Sequence, residues 1–173
     1  VPQVVTTKEV QVIKALTQDI VSKLEQELGL KLSYKFGTMM ESVRGILCAE
    51  PIAGMVDFFS FGTNDLTQAV FSFSREDAEN KFLPNYVNKN ILENNPFEVL
   101  DVTGVARLMK IAIADGRKAK PDLKVGICGE HGGHPASIAT CHAMGLTYCS
   151  CSGPRVPVAR LAVAQSKLRA DAI

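Results

Sequence analysis

The sequence predicts an α/β fold of parallel strands joined by helical crossovers, amounting to the C-terminal part of an eight-stranded (β/α)8 barrel. Three observations carry this expectation. Four short apolar runs, each ending abruptly in Gly or polar residues, alternate with segments of helical period. No glycine-rich dinucleotide fingerprint follows the first run, which argues against an open doubly wound sheet. At 173 residues the chain also falls short of the about 250 that a complete barrel takes.

Taken in order, Val4-Val5 is expected as the stub of a fifth strand. Residues 7–28 place Val10, Ile13, Leu16, Ile20, Leu24 and Leu28 close to a 3.6-residue period, with Thr6 and Glu9 at capping-box spacing and Gly29 as the stop. Strands are expected within 33–41, 56–65, 123–130 and 146–153, where aromatic and β-branched residues lie between turn formers. Helical segments are expected over 43–54, from Leu66 onward and over 103–119. Two more follow Pro135 and Pro157, which sit where first-turn prolines belong. Residues 72–100 break the rhythm as a polar, irregular connection. One that long is usually functional or makes contacts. All of this fits one domain.

Nineteen Lys and Arg against eighteen Asp and Glu leave a formal charge of +1, so the basic excess of a nucleic-acid or anionic-membrane binder is missing. No apolar run approaches the roughly 18 residues of a spanning helix. Five cysteines without framework spacing fit free thiols in a reducing compartment, so an intracellular, cytoplasmic location is expected. The terminal Ala172-Ile173 carries no evident targeting address.

In a parallel barrel the C-terminal strand tips carry the chemistry. Glu41 ends the first long run and Asp65 the second, and neighbouring tips can converge on one cation, two carboxylates with waters being the usual Mg²⁺ arrangement. The plain alternative is that Glu41 and Asp65 cap the helices beginning near Val43 and Leu66. Gly62-Thr63-Asn64-Asp65 is a strand-to-helix turn able to receive a carboxylate or phosphate, though plain turn chemistry also accounts for it. Cys128, flanked by Gly126 and Gly129, is the one thiol placed to transfer a proton. Cys48, Cys141, Cys149 and Cys151 read as small hydrophobes. A rival zinc reading combines Cys128, His131 and His134 with Cys141 or His142, against solvated or capping roles for the two loop histidines.

Three stretches, Phe36-Gly37-Thr38-Met39-Met40-Glu41, Phe58 to Gln68, and Gly126 to Gly133, resemble the C-terminal barrel of the phosphoenolpyruvate-utilising enzymes. Phe73 to Asp77, Lys81 to Pro84, Asn95-Pro96-Phe97 and Ser150 to Ala162 are similar to the pyruvate, phosphate dikinases within that family. Phosphoenolpyruvate synthase or enzyme I type domains are the alternatives, as is a non-catalytic partial-barrel interaction module. The resemblance implies that Glu41 and Asp65 hold Mg²⁺, and that Gly62, Thr63, Asn64 and Asp65, with Glu41 nearby, contact pyruvate or phosphoenolpyruvate. Cys128 would protonate enolpyruvate or deprotonate pyruvate. It also implies a homodimer and further domains, one binding ATP and one carrying a phosphorylated His.

Val43 stands where the family usually has Pro, and Gly153-Pro154 replaces a Pro-aromatic pair. No Thr-Ser-His segment of the phosphocarrier kind is present. The family's phosphate-clamping arginines come from earlier strands, and Arg44 and Arg75 do not match them. The chain is therefore expected to be a C-terminal portion of the enzyme, inactive alone.

Overall fold

Thr6 has extended backbone, and its amide donates to the Glu9 carboxylate at 3.1 Å, so the first helix begins where the capping-box spacing puts it. The computed structural model describes residues 1–171; Ala172 and Ile173, considered above for a targeting address, lie outside the described residues. Helix α1 (Thr7–Leu28) ends at Gly29 and leads to β1 (Gly37–Met39). Then come α2 (Val43–Leu47), α3 (Ala49–Ala53), β2 (Phe58–Gly62) and α4 (Thr63–Phe71). The long connection contributes α5 (Arg75–Lys81) and α6 (Leu83–Asn88). After it follow α7 (Val105–Ala119), β3 (Lys124–Cys128), a 3₁₀ turn at Glu130–Gly133, and α8 (Pro135–Ala143). The end is formed by β4 (Tyr148–Cys149), a 3₁₀ turn at Gly153–Arg155 and α9 (Val156–Asp171).

The four strands form one parallel sheet in the order β1-β2-β3-β4, with Gly37 opposite Phe58, Phe58 opposite Lys124 and Gly126 opposite Tyr148. With helical crossovers between consecutive parallel neighbours, this is a partial (β/α)8 barrel. Strand alternation divides the side chains between two faces. Phe59, Phe61, Val125 and Ile127 are fully buried in the main core with Met109, Ala112 and Ile113 of α7 and Ile46 and Ile52 of α2 and α3. Each such large side chain contributes about 1.5–3 kcal/mol on leaving water. The alternate residues Ser60, Gly62, Gly126, Cys128 and Tyr148 share the opposite face, the one that lines a barrel interior.

Four expectations are corrected, and one helix face is found open. Val4-Val5 is not a strand; instead Val1 runs beside β1, accepting from Met39 N at 2.8 Å and donating to Gly37 O at 2.8 Å, while Val4 is buried in the core. The helix over 43–54 is two short helices that meet at Cys48. The helix after β2 begins at Thr63 rather than Leu66, with Gly62 at its cap position. The 72–100 connection is partly helical: Ser74 caps α5, and Ala78, Leu83 and Phe97 form a small core with Phe73, Phe82 and Leu92. Finally, α1 buries only Val10, and Leu16, Ile20, Leu24 and Leu28 remain exposed although they share its apolar stripe.

Candidate active site at the strand tips

Neither acidic residue caps a helix. Ser42 caps α2, its hydroxyl accepting from Gly45 N at 3.0 Å. Asp65 lies within the first turn of α4. Glu41, 3% exposed, turns instead toward the end of β2: a Cβ on Gly62 would overlap Glu41 Oε2, so only a residue without a side chain lets the carboxylate lie there. Gly62 is in turn directly opposite Cys128 in the sheet. Glu41, Gly62 and Cys128 thus form the top layer of the interior face.

The two carboxylates share an open cleft of about 520 Å³, which is also lined by Gln3, Ser42, Gln68 and Phe73. Gln3 spans them. Its backbone amide donates to Glu41 Oε1 at 2.7 Å and its side-chain amide to Asp65 Oδ2 at 2.9 Å, while Gln68 donates to Asp65 Oδ1 at 3.1 Å. Burial pushes the Glu41 carboxyl above the usual carboxylate range; the Gln3 amide opposes this, and the nearby Asp65 charge adds to it. An anion held under such strain favours a positive neighbour. Two carboxylates with room for water and substrate oxygens suit a hard divalent ion. The donor set therefore fits Mg²⁺.

Cys128 is half-buried, with Sγ 3.6 Å from the Phe61 carbonyl. Although it shares the face with Glu41, it does not line the cleft between the carboxylates. Gly129 follows at φ +101°, ψ −174°, a conformation only glycine holds comfortably. A Cβ there would sit 3.3 Å from Asn64 Oδ1 and 3.4 Å from Thr63 Oγ1, so the loop after β3 lies close over the α4 N-terminus. Asn64 Oδ1 is buried without a hydrogen-bond partner among the described residues.

The zinc combination does not assemble. Both ring nitrogens of His131 are engaged, Nδ1 with Thr63 Oγ1 at 2.7 Å and Nε2 with Pro96 O at 2.9 Å. Burial pushes the Cys141 thiol up to about 12 and Cys149 up to about 11, away from the thiolate a metal takes. Among the described residues no group of three or more His, Cys, Asp and Glu side chains converges.

Sequence reasoning missed three participants. Gln3 carried no signal, because only the fold brings the chain start beside β1. Pro96 looked like a turn residue, yet its carbonyl meets His131. Arg75 forks onto Glu130, at 3.0 and 3.1 Å, and its guanidinium lies 5.4 Å from the Phe97 ring centre, tying the long connection to the loop after β3.

The fold and tips are those of a barrel domain with an acidic site at its C-terminal edge. A family described as "PEP-utilising enzyme, PEP-binding domain" matches residues 1–168, and the chain belongs to it. It is 51% identical over 170 residues to the pyruvate, phosphate dikinase of Entamoeba histolytica, which covers 98% of this chain and 19% of that protein. Against the enzyme of that name from Clostridium symbiosum it is 49% identical over 168 residues, 97% of this chain and 19% of the relative. A chloroplastic pyruvate, phosphate dikinase of Mesembryanthemum crystallinum is 54% identical over 165 residues, 95% of this chain and 17% of the relative. The chain thus spans less than a fifth of the length of these relatives. Among the described residues no helix is long and apolar enough to cross a membrane.

Proposed function

We propose that the chain is the C-terminal half of the phosphoenolpyruvate/pyruvate site of a pyruvate, phosphate dikinase, which interconverts ATP, pyruvate and phosphate with AMP, phosphoenolpyruvate and diphosphate. The observation that supports it most is the top layer of the interior face, with Glu41 lying on Gly62 and Gly62 opposite Cys128. An enolate has charge on its oxygen and nucleophilic character at its terminal carbon. Acid and thiol on one face of the sheet meet those two needs separately.

Glu41 and Asp65 would hold Mg²⁺, which when bound supplies Lewis acidity at the substrate oxygen without moving a proton. Gly62 lets the Glu41 carboxylate lie against the strand tip beside the substrate, and the amides of Thr63, Asn64 and Asp65 at the start of α4 favour the substrate carboxylate. Asn64 keeps buried polar capacity for a ligand; turning its amide exchanges the orphan acceptor for a donor. The Cys128 thiol gives its proton to the methylene carbon of enolpyruvate, and in reverse the thiolate takes one from the methyl group of pyruvate. The same reading assigns the ATP-binding and phospho-His domains to parts of the enzyme outside these residues. It also assigns homodimerisation, and an intracellular site in cytoplasm or organelle.

The test grafts this segment in place of the matching part of the Clostridium symbiosum enzyme and follows solvent deuterium entering the methyl group of pyruvate. Cys128→Ala is expected to slow that exchange by at least about 10²-fold. Exchange at the unsubstituted rate would remove Cys128 from the chemistry.

A further inference from the structure

His131 is fully buried, yet it belongs to neither the acid pair nor the thiol. Its ring joins three segments that are far apart in sequence: its own loop after β3, Thr63 at the start of α4, and Pro96 in the long connection. A carbonyl oxygen can only accept, so Nε2, facing Pro96 O, must carry a proton. In the neutral ring Nδ1 is then an acceptor, and Thr63 donates its hydroxyl to it. That uses the only hydroxyl proton. The Cys128 carbonyl, 3.2 Å from the same Thr63 oxygen, competes for that proton over the longer contact. Burial favours this neutral form, lowering the His131 pKa against the opposing pull of the Pro96 carbonyl and Glu130, with His134 and Arg75 also acting to lower it.

We propose that His131 is a positioning residue: as the Nε2–H tautomer it fixes the Thr63 hydroxyl on the substrate-facing turn and latches the 72–100 connection to the strand-tip edge through Pro96. It acts through Thr63 and does not touch the substrate. Two further ties run in parallel with the latch, the Arg75–Glu130 fork and the bond from Leu100 N to Ser137 Oγ at 2.9 Å. Of these three ties the His131 tie alone ends on Thr63; a separate path runs from Arg75 N to Gln68 Oε1 at 2.9 Å and from the Gln68 amide to Asp65 Oδ1 at 3.1 Å. The connection is thereby part of the scaffold of the site.

The kinetic part of the inference rests on the function proposed above, and the structural part does not. Nitrogen-15 NMR of the imidazoles in the 173-residue chain at pH 7 should show His131 protonated at Nε2 and bare at Nδ1; the opposite tautomer overturns the proposal. In the grafted enzyme, His131→Ala is expected to raise the KM for pyruvate about tenfold while kcat stays within about threefold, the scale of one or two lost hydrogen bonds that position substrate. His131→Gln retains an N–H for Pro96 and an oxygen for Thr63, and should recover most of the loss. An Ala variant with the unsubstituted KM, or a Gln variant no better than Ala, overturns the positioning role while leaving the dikinase reading intact. If the unsubstituted graft turns over no pyruvate, the dikinase reading fails instead. The latch is then decided by the tautomer, and by amide exchange in Phe97–Leu100 of the chain, which His131→Ala should accelerate and which unchanged protection would refute.

Discussion

Helices α1 and α7 carry similar apolar stripes in sequence and meet opposite fates. In α7, Val105, Ala106, Met109, Ala112 and Ile113 are all buried against the sheet and the α2–α3 pair. In α1 only Val10 is buried, and Leu16 and Ile20 stand 56% and 59% exposed. Periodicity states that a face wants a partner. Whether this stretch of chain supplies the partner depends on topology: α7 crosses between two strands present here, whereas α1 lies at the edge where the sheet ends. The α1 stripe of Leu16, Ile20, Leu24 and Leu28 is therefore left open to solvent.

The largest expected effect tests that contrast directly. Met109→Ala removes a fully buried side chain from the core and should cost about 2–5 kcal/mol, while Leu16→Ala on the open stripe should stay within about 0.5 kcal/mol. Urea unfolding of the two variants measures both. Comparable losses would mean that the α1 stripe is covered in solution, and the contrast would fall.

A second, smaller effect moves from apolar to polar burial. His131 has its folded pKa below the ordinary 6.5, chiefly through desolvation. Between that ordinary value and the folded one, the unfolded chain binds more protons than the native chain, so this contribution is fully present above about pH 6.5 and is lost as pH falls toward the folded pKa. His131→Gln should therefore narrow the stability gap between pH 7 and mildly acid solution. An unchanged gap would show that other groups set it.

How much could be read beforehand follows the same division. The strands, the 7–28 and 103–119 helices and both first-turn prolines were legible because local pattern decides them: Thr6, Glu9 and Gly29 bound α1 through their own chemistry. The Gly62–Asp65 turn and Glu41 were legible as strand tips. What could not be read was long-range. Nothing near Gln3 announces that its two amides bridge Glu41 and Asp65, 38 and 62 residues away. The two short helices of the connection were hidden by polar surfaces whose few apolar residues, Phe73, Phe82 and Phe97, pack on one another rather than in a periodic stripe. His131 looked like a loop residue because flanking glycines say nothing about burial.

The smallest expected effect concerns how that connection is held, since it lacks the large apolar interface of α7. Arg75 donates through Nη1 and Nη2 to Glu130 and through Nε to Glu79 at 3.2 Å, which holds the Glu130 carboxyl below the usual carboxylate range. The pair is not deeply buried, with the Arg75 and Glu130 side chains 31% and 55% exposed, so water and salt screen it. Arg75→Ala should lower stability by no more than about 1 kcal/mol, with a larger loss in low salt than in high. Because the Glu130 carboxyl is depressed, the benefit is present above the ordinary 4.5 and disappears as pH falls through the folded value, so the variant and the parent should converge in acid. Chemical unfolding across salt and pH measures this. A salt-independent loss of several kcal/mol would make the fork, rather than the Phe73–Phe82–Phe97 cluster and the His131 latch, the main anchor of the connection, and would place its energetics beside those of α7.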